Sequence, residues 1–227
     1  MFTNNIIVAQ TLNDAWREAM WCCVRNGVDY KVTLGSYEGQ IRRQLPYAII
    51  IIEEPKTRPF NFYTPAGIPP PTTEEKINDY FNNYLSHDTK CETEDYTYGQ
   101  YIVEQLPSVI NKLNSSEGDT NQACITVGDF NSIDLPDPPC LKVIDFKKVD
   151  NQLNMSVFFR SWDLFAGLPE NLGGLQLLKE LVLLYLNFPI EDGKMIAFSS
   201  GLHLYEQYFS LVDQMNIDKV SAKEEKA

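Results

Sequence analysis

The chain has 227 residues, 44% apolar and 22% charged, which suits one large domain or two small ones and argues against wholesale disorder. Nineteen Lys and Arg against 31 Asp and Glu give a formal charge of −12, with a pI near 4.6. Non-specific binding to nucleic acid or anionic membrane needs clustered Lys and Arg, so this balance speaks against it, while leaving room for a small anion held by a few local arginines.

Ile6 to Ala9 reads as a short strand. Thr11 is placed to cap a helix with Asp14 at its third position, and Leu12, Ala15, Trp16, Ala19, Met20 and Cys23 recur at helical spacing until Gly27 ends it. Gly39 to Arg43 reads as a polar turn carrying Arg42 and Arg43, leading into Ala48 to Ile52, a β-branched run that suits a strand buried on both faces. The arginine pair is either a solvated face or a bidentate anion grip.

Residues 55–72 form a proline-rich surface loop, after which Thr73 caps a helix to about Leu85. A helix is expected from Tyr96 onward, with Pro107 kinking or interrupting it. Ala123 to Val127 reads as a strand and Asp134 to Pro139 as an extended turn. Cys140 to Phe146 and Leu153 to Arg160 make a hairpin, and Asn171 to Leu186 the most apolar helix. A strand at Met195 to Ser199 and a helix from Leu202 to Met215 complete the pattern. One domain over residues 1–220 is expected, followed by a polar tail over 221–227.

Five cysteines (Cys22, Cys23, Cys91, Cys124, Cys140) form an odd set with no CxxC pair. We therefore expect free thiols in a reducing compartment and no metal site. Met1-Phe2-Thr3 opens no secretory signal, and Leu175 to Phe188 is too short and too interrupted, by Lys179 and Glu180, to span a bilayer. The expectation is a soluble, cytoplasmic protein.

A lone cysteine after two prolines is, by itself, a buried small hydrophobe, and Arg160 by itself a strand-end salt bridge. The wider pattern changes both readings. Pro138-Pro139-Cys140, then Phe159-Arg160-Ser161-Trp162-Asp163 with Gly167-Leu168-Pro169-Glu170-Asn171, then Gly201-Leu202-His203-Leu204-Tyr205, and the earlier Tyr96-Thr97-Tyr98-Gly99, resemble the thymidylate synthase family in order and spacing. The likeness is to its shorter archaeal-type members, in which leucine follows the cysteine as Leu141 does here, and it runs from about Tyr96 to Phe209.

The resemblance implies an α/β fold of the α+β type, with one large mixed twisted sheet flanked by helices and a homodimer formed across the far sheet face. It implies methylation of dUMP to dTMP by methylene-tetrahydrofolate or methylene-tetrahydromethanopterin. Cys140 would add to C6 of the pyrimidine, with its pKa lowered by Arg160. Arg160 and Ser161 would bind the nucleotide phosphate. Asn171, an amide that both donates and accepts, would pair with uracil and favour dUMP over dCMP. Asp163 would orient pterin and base, with Gly167 beside the pterin. His203 and Tyr205 would hold the 3′-hydroxyl, and Tyr98 would assist proton transfer beside the cysteine. Gly173-Gly174 would admit close helix packing.

Departures from the family pattern sharpen the alternatives. The partner-subunit arginine pair is Asn121-Gln122 here, so the phosphate would rest on Arg160, Ser161 and Arg43, the preferred member of the 42/43 pair. A folate-packing phenylalanine is replaced by Glu170. The catalytic glutamate falls in a poorly matched region, leaving Glu75 or Asp79 for that role. Two alternatives therefore stand beside methylation: a pyrimidine nucleotide 5-hydroxymethylase with the same nucleophile, and a non-catalytic nucleotide- or RNA-binding relative. No membrane or stable nucleic-acid partner is expected.

Overall fold

The structure, a computed structural model, describes residues 4–34, 37–90 and 95–215. Cys91 and the tail expected over 221–227 lie outside the described residues. The elements run β1 (Ile6–Ala9), α1 (Leu12–Asn26), β2 (Val28–Lys31), β3 (Ile41–Leu45), β4 (Ala48–Ile52), α2 (Glu74–Tyr80), α3 (Gly99–Ser115), β5 (Cys124–Thr126), β6 (Leu141–Val149), β7 (Gln152–Phe159), β8 (Trp162–Asp163), α4 (Gly167–Leu184), β9 (Glu191–Ser199) and β10 (Leu202–Tyr205).

The α/β expectation holds, but the strands divide into two sheets. Six form a mixed sheet in the order β1-β4-β9-β7-β6-β5, and four form a smaller one in the order β2-β3-β10-β8. The two are joined in a regular way. β4, β9 and β7 each connect to a strand of the small sheet (β3, β10 and β8) through only two residues: Pro46-Tyr47, Ser200-Gly201 and Arg160-Ser161. β9 lies beside β4 and β7, and β10 beside β3 and β8, so three neighbouring strands cross over side by side. Backbone bonds stitch the crossover: Arg160 N–H to the Cys140 carbonyl (2.9 Å), Ser200 N–H to Phe159 (3.1 Å) and Trp162 N–H to Gly201 (3.1 Å).

Local chemistry accounts for most of the boundaries. Thr11 and Asp14 form a reciprocal capping box on α1, and the Gly27 N–H closes its last turn on the Cys23 carbonyl. The β6–β7 hairpin turns at Asp150 and Asn151, with φ of 50° and 61°, the left-handed pair that matches strand twist. Helix α3 runs unbroken through Pro107. α4 packs on α2 because its glycines admit it: a Cβ on Gly174 would stand 2.5 Å from the Tyr80 ring, and one on Gly173 2.7 Å from Ile77. The fully buried Trp16 donates its indole N–H to the Leu164 carbonyl (3.1 Å), tying α1 to the segment that leads into α4.

Three expectations require correction. The turn expected over Gly39 to Arg43 stops at Gly39: Ile41–Leu45 is a central strand of the small sheet, paired with both β2 and β10. Leu202–Tyr205 is a strand, and helix begins only after it. The helix expected from Asn171 begins four residues earlier, at Gly167, so Asn171 lies inside α4. The β4 strand is also not closed on both faces, since Ile49 and Ile51 remain half-buried.

Candidate active site

Beside the crossover lies a cavity of about 220 Å³ lined by Val32, Leu34, Tyr37, Arg42, Asp137, Cys140, Arg160, Ser161, Asp163, His203 and Tyr205. Six residues singled out from sequence, Cys140, Arg160, Ser161, Asp163, His203 and Tyr205, thus share one cavity although 65 positions separate the first from the last. The crossover explains the convergence. Cys140 immediately precedes β6, Arg160 and Ser161 are the β7–β8 connection, Asp163 ends β8, and His203 and Tyr205 belong to β10 beside it.

Arg160 is held against the cysteine loop. Its Nε donates to the Pro139 carbonyl at 3.1 Å, and its Nη2 to the Pro138 carbonyl and to Asp137 Oδ1, the latter at 3.3 Å. The expected lowering of the Cys140 pKa is not the net result. Burial pushes the thiol above its ordinary value, Arg160 and Lys142 pull it down, and Asp137 adds to the rise. Desolvation outweighs the cations in the free chain, so Cys140 rests as a thiol.

Tyr98 is buried next to the cysteine. Its hydroxyl accepts from the Leu141 N–H at 3.2 Å, leaving its own proton available. It continues into an aromatic series: Tyr98 lies against Tyr84 edge-on (5.1 Å) and over Tyr96 (5.8 Å), and Tyr84 stacks on Tyr80 (5.5 Å).

Asp163 serves the start of α4. Its Oδ1 accepts from the Phe165 N–H at 3.0 Å, and the Ala166 and Gly167 amides also approach it, while burial raises its pKa. Gly167 stands against it, a Cβ there falling 3.3 Å from Asp163 Cβ. His203 is buried, and its Nδ1 lies 2.9 Å from the Gly201 carbonyl. A carbonyl only accepts, so Nδ1 carries the proton and Nε2 is an acceptor. That Nε2 is buried without a partner. Burial, reinforced by the Arg42 charge, lowers the histidine to about 4. Tyr205 is raised to about 12 by burial, and Tyr37 covers it with ring centroids 4.1 Å apart.

Six expected residues are not on the cavity wall: Tyr98 and Gly167, described above, and Arg43, Glu75, Asp79 and Asn171. Arg43 points away, paired in two hydrogen bonds with Asp29 (2.7 and 3.0 Å) and stacked over Phe209 (4.6 Å). Adjacent residues of a strand face opposite ways, so it is Arg42 that lines the cavity, with its buried Nε unpartnered. Glu75 and Asp79 are exposed on α2. Asn171 sits just behind, its Oδ1 accepting the Trp162 indole N–H at 2.8 Å. Glu170 is half-buried there too, accepting from the Thr72 hydroxyl at 3.2 Å, and burial raises its pKa. The Tyr80 hydroxyl approaches Asn171 and Glu170 without reaching good hydrogen-bond geometry.

Sequence reasoning preferred Arg43 to Arg42 within the pair it had singled out, and missed Asp137 and Lys142. The strand alternation would have separated Arg42 from Arg43, had β3 been recognised. Lys142 falls where the β6–β7 register slips between Leu141 and Val143, a bulge of the kind that re-aims a side chain beside a site. Among the described residues no cluster of three His, Cys, Asp or Glu could hold a metal, and no helix is long and apolar enough to cross a membrane.

Comparison with known proteins bears on the family and the fold. The family model described as Thymidylate synthase matches residues 72–224. A Methanosarcina barkeri protein named "Putative thymidylate synthase" is 29% identical over 220 residues, covering 92% of this chain and 94% of its own. One of the same name from Methanothermobacter thermautotrophicus is 23% identical over 223 residues, covering 92% and 97%. Among solved structures, the thermostable thymidylate synthase A from Bacillus subtilis superposes with a TM-score of 0.68 at 12% identity, over 90% of this chain and 82% of that one.

Proposed function

We propose that this chain, which belongs to the thymidylate synthase family, converts dUMP to dTMP through a covalent adduct between Cys140 and pyrimidine C6. The observation that carries the reading is the convergence of Cys140, Arg160, Ser161, Asp163, His203 and Tyr205 on one cavity.

In this reading Arg160, Arg42 and Ser161 take the 5′-phosphate, and the His203 Nε2 accepts a hydrogen bond from the 3′-hydroxyl beside Tyr205. The resting thiol must lose its proton as it attacks, and Tyr98 and Asp163 are the ionisable groups placed to manage that proton. The Cys140 sulfur bonds to C6, and the electron pair of the 5,6 double bond moves to C5, making it a carbon nucleophile. A methylene-tetrahydropterin would supply C5 with the one-carbon unit and a hydride and leave as the dihydropterin. Loss of the C5 proton and of the sulfur restores the double bond. Asp163, Gly167 and Glu170 would border that pterin: a carboxylate edge suits its N–H groups, and the raised Glu170 can accept or donate there.

Glu170 also supports a second reading. A carboxyl where the family resemblance puts an aromatic ring makes the pterin side polar enough to admit water, which would give hydroxymethylation. Incubation with 5-³H-dUMP and each reduced pterin tests both readings. Tritium release with a dTMP mass and dihydropterin supports methylation; a hydroxymethyl product with tetrahydropterin replaces it with the second; no release sinks both.

For assembly we infer a homodimer. The outer face of the large sheet carries a cross-strand apolar row, Ile6, Ile49, Phe198 and Phe158, with Val8 and Ile51 alongside. Ile6 and Val8 are 50% and 61% exposed in the single chain, a surface suited to a second copy.

A further inference from the structure

Arg160 is the cation around which the phosphate subsite is assembled, yet in this chain it already has an anion. Asp137 Oδ1 sits 3.3 Å from Arg160 Nη2, and Asp137 itself lines the cavity. The pair is lopsided. The Asp137 side chain is 65% exposed and the Arg160 side chain 35%, and they share a single moderately long hydrogen bond. Nε and the other Nη2 contact are satisfied by the rigid Pro138 and Pro139 carbonyls, which fix the guanidinium whether or not Asp137 is there.

We propose that Asp137 is a built-in competitor for the phosphate subsite: its carboxylate occupies Arg160 in the free chain, and a ligand phosphate must displace it. Asp137 thereby sets how much the 5′-phosphate contributes to ligand selection. The inference rests on the nucleotide reading of the cavity above. An exposed ion pair is weak, whereas a phosphate meets a guanidinium through several charge-assisted bonds, so displacement is favourable but costs part of the phosphate's advantage. Cavity charge points the same way. Arg42 and Arg160 face Asp137 and Asp163, and the buried His203 adds no charge near neutrality. Asp137 also acts on Cys140, raising the thiol pKa against Arg160 and Lys142, which ties carboxylate, guanidinium and sulfur into one electrostatic unit.

The test compares Asp137→Asn with wild type in two ways. The first is the affinity for dUMP and for deoxyuridine by calorimetry. The second is the pH profile of Cys140 alkylation by iodoacetamide. Removing the competitor is expected to tighten dUMP by about fivefold, the upper worth of an exposed pair, while deoxyuridine is unchanged. The alkylation midpoint should move to lower pH. A purely structural brace for the proline loop would instead weaken both ligands together, and that result overturns the proposal. If wild type binds dUMP but the variant leaves the dUMP-to-deoxyuridine ratio unaltered, the displacement claim alone fails. A wild-type chain that binds neither ligand overturns the nucleotide reading and this claim with it.

Discussion

The indole N–H of Trp162 donates to Oδ1 of Asn171 at 2.8 Å, and this bond settles which way the amide faces. An indole can only donate, so the oxygen must point at Trp162 and the NH₂ group elsewhere. In the nucleotide reading proposed above, Asn171 would thus meet a base chiefly as a donor, which suits the O4 carbonyl of uracil better than the exocyclic amine of cytosine.

Asn171→Asp tests that reading. A carboxylate keeps the Trp162 bond, so the fold should be unaffected. Loss of the donor should raise the dUMP KM by about tenfold or more while improving dCMP relative to it, since one hydrogen bond to a charged or buried partner is worth about 1.5–3 kcal/mol. Equal effects on both nucleotides in steady-state assays would refute the assignment.

Arg42 and Arg43 should separate cleanly. Arg42→Ala removes a cavity cation and is expected to raise the KM for dUMP by about tenfold or more. Arg43→Ala removes a surface pair with Asp29 and should cost at most about 1 kcal/mol in a urea melt, with KM little changed. The reverse ranking would show that β3 presents its other face to the ligand.

Cys140 is a thiol held above its normal pKa, and two cations oppose that rise. Iodoacetamide labelling of the free chain should therefore have its midpoint above that of an ordinary cysteine. Arg160→Gln and Lys142→Met should each push it higher. Cys140→Ala should eliminate tritium release from 5-³H-dUMP, by at least about 10³-fold for loss of a covalent nucleophile, while dUMP still binds.

His203 provides a stability test. Its folded pKa, about 4, lies below the unfolded value of 6.5, so between those two pH values the unfolded chain binds more protons. Its contribution is thus present above about 6.5 and is lost as pH falls toward 4, with a slope no steeper than about 1.4 kcal/mol per pH unit. Asp163 and Glu170, whose pKa values are raised, act with the opposite sign at acid pH. The informative measurement is therefore the difference between wild type and His203→Gln in urea melts from pH 4 to 7. A difference that stays flat with pH would show that the ring is not held neutral.

Gly174→Ala probes the α2–α4 contact. The added methyl would fall 2.5 Å from the Tyr80 ring. Overpacking of this kind is expected to cost about 1–3 kcal/mol in unfolding free energy. Because Tyr80 neighbours Asn171 and Glu170, the dUMP KM should rise as well.

Elements with strong local chemistry were legible in the sequence: the Thr11–Asp14 box, the Thr73 cap and the β6–β7 hairpin. So were the cavity residues that belong to contiguous motifs. What escaped was decided by tertiary pairing. Ile41-Arg42-Arg43-Gln44-Leu45 is polar enough to pass for a turn, and only its partners on both sides make it a strand. With β3 unseen, nothing could distinguish Arg42 from Arg43. Leu202-His203-Leu204-Tyr205 lacks the alternation of a half-exposed strand because all four residues are buried. Asp137 and Lys142 carry no motif of their own; a loop contact and a one-residue bulge bring them to the cysteine.

The three two-residue crossovers have a mechanical consequence. Cys140 stands at the mouth of the broad sheet, while Arg42, Asp163, His203 and Tyr205 ride on the narrow one. In the proposed reading a ligand gripped from both banks would act as a strut between the two sheets, and any change in the angle between them would alter the distance between the sulfur and everything that aims the ring at it.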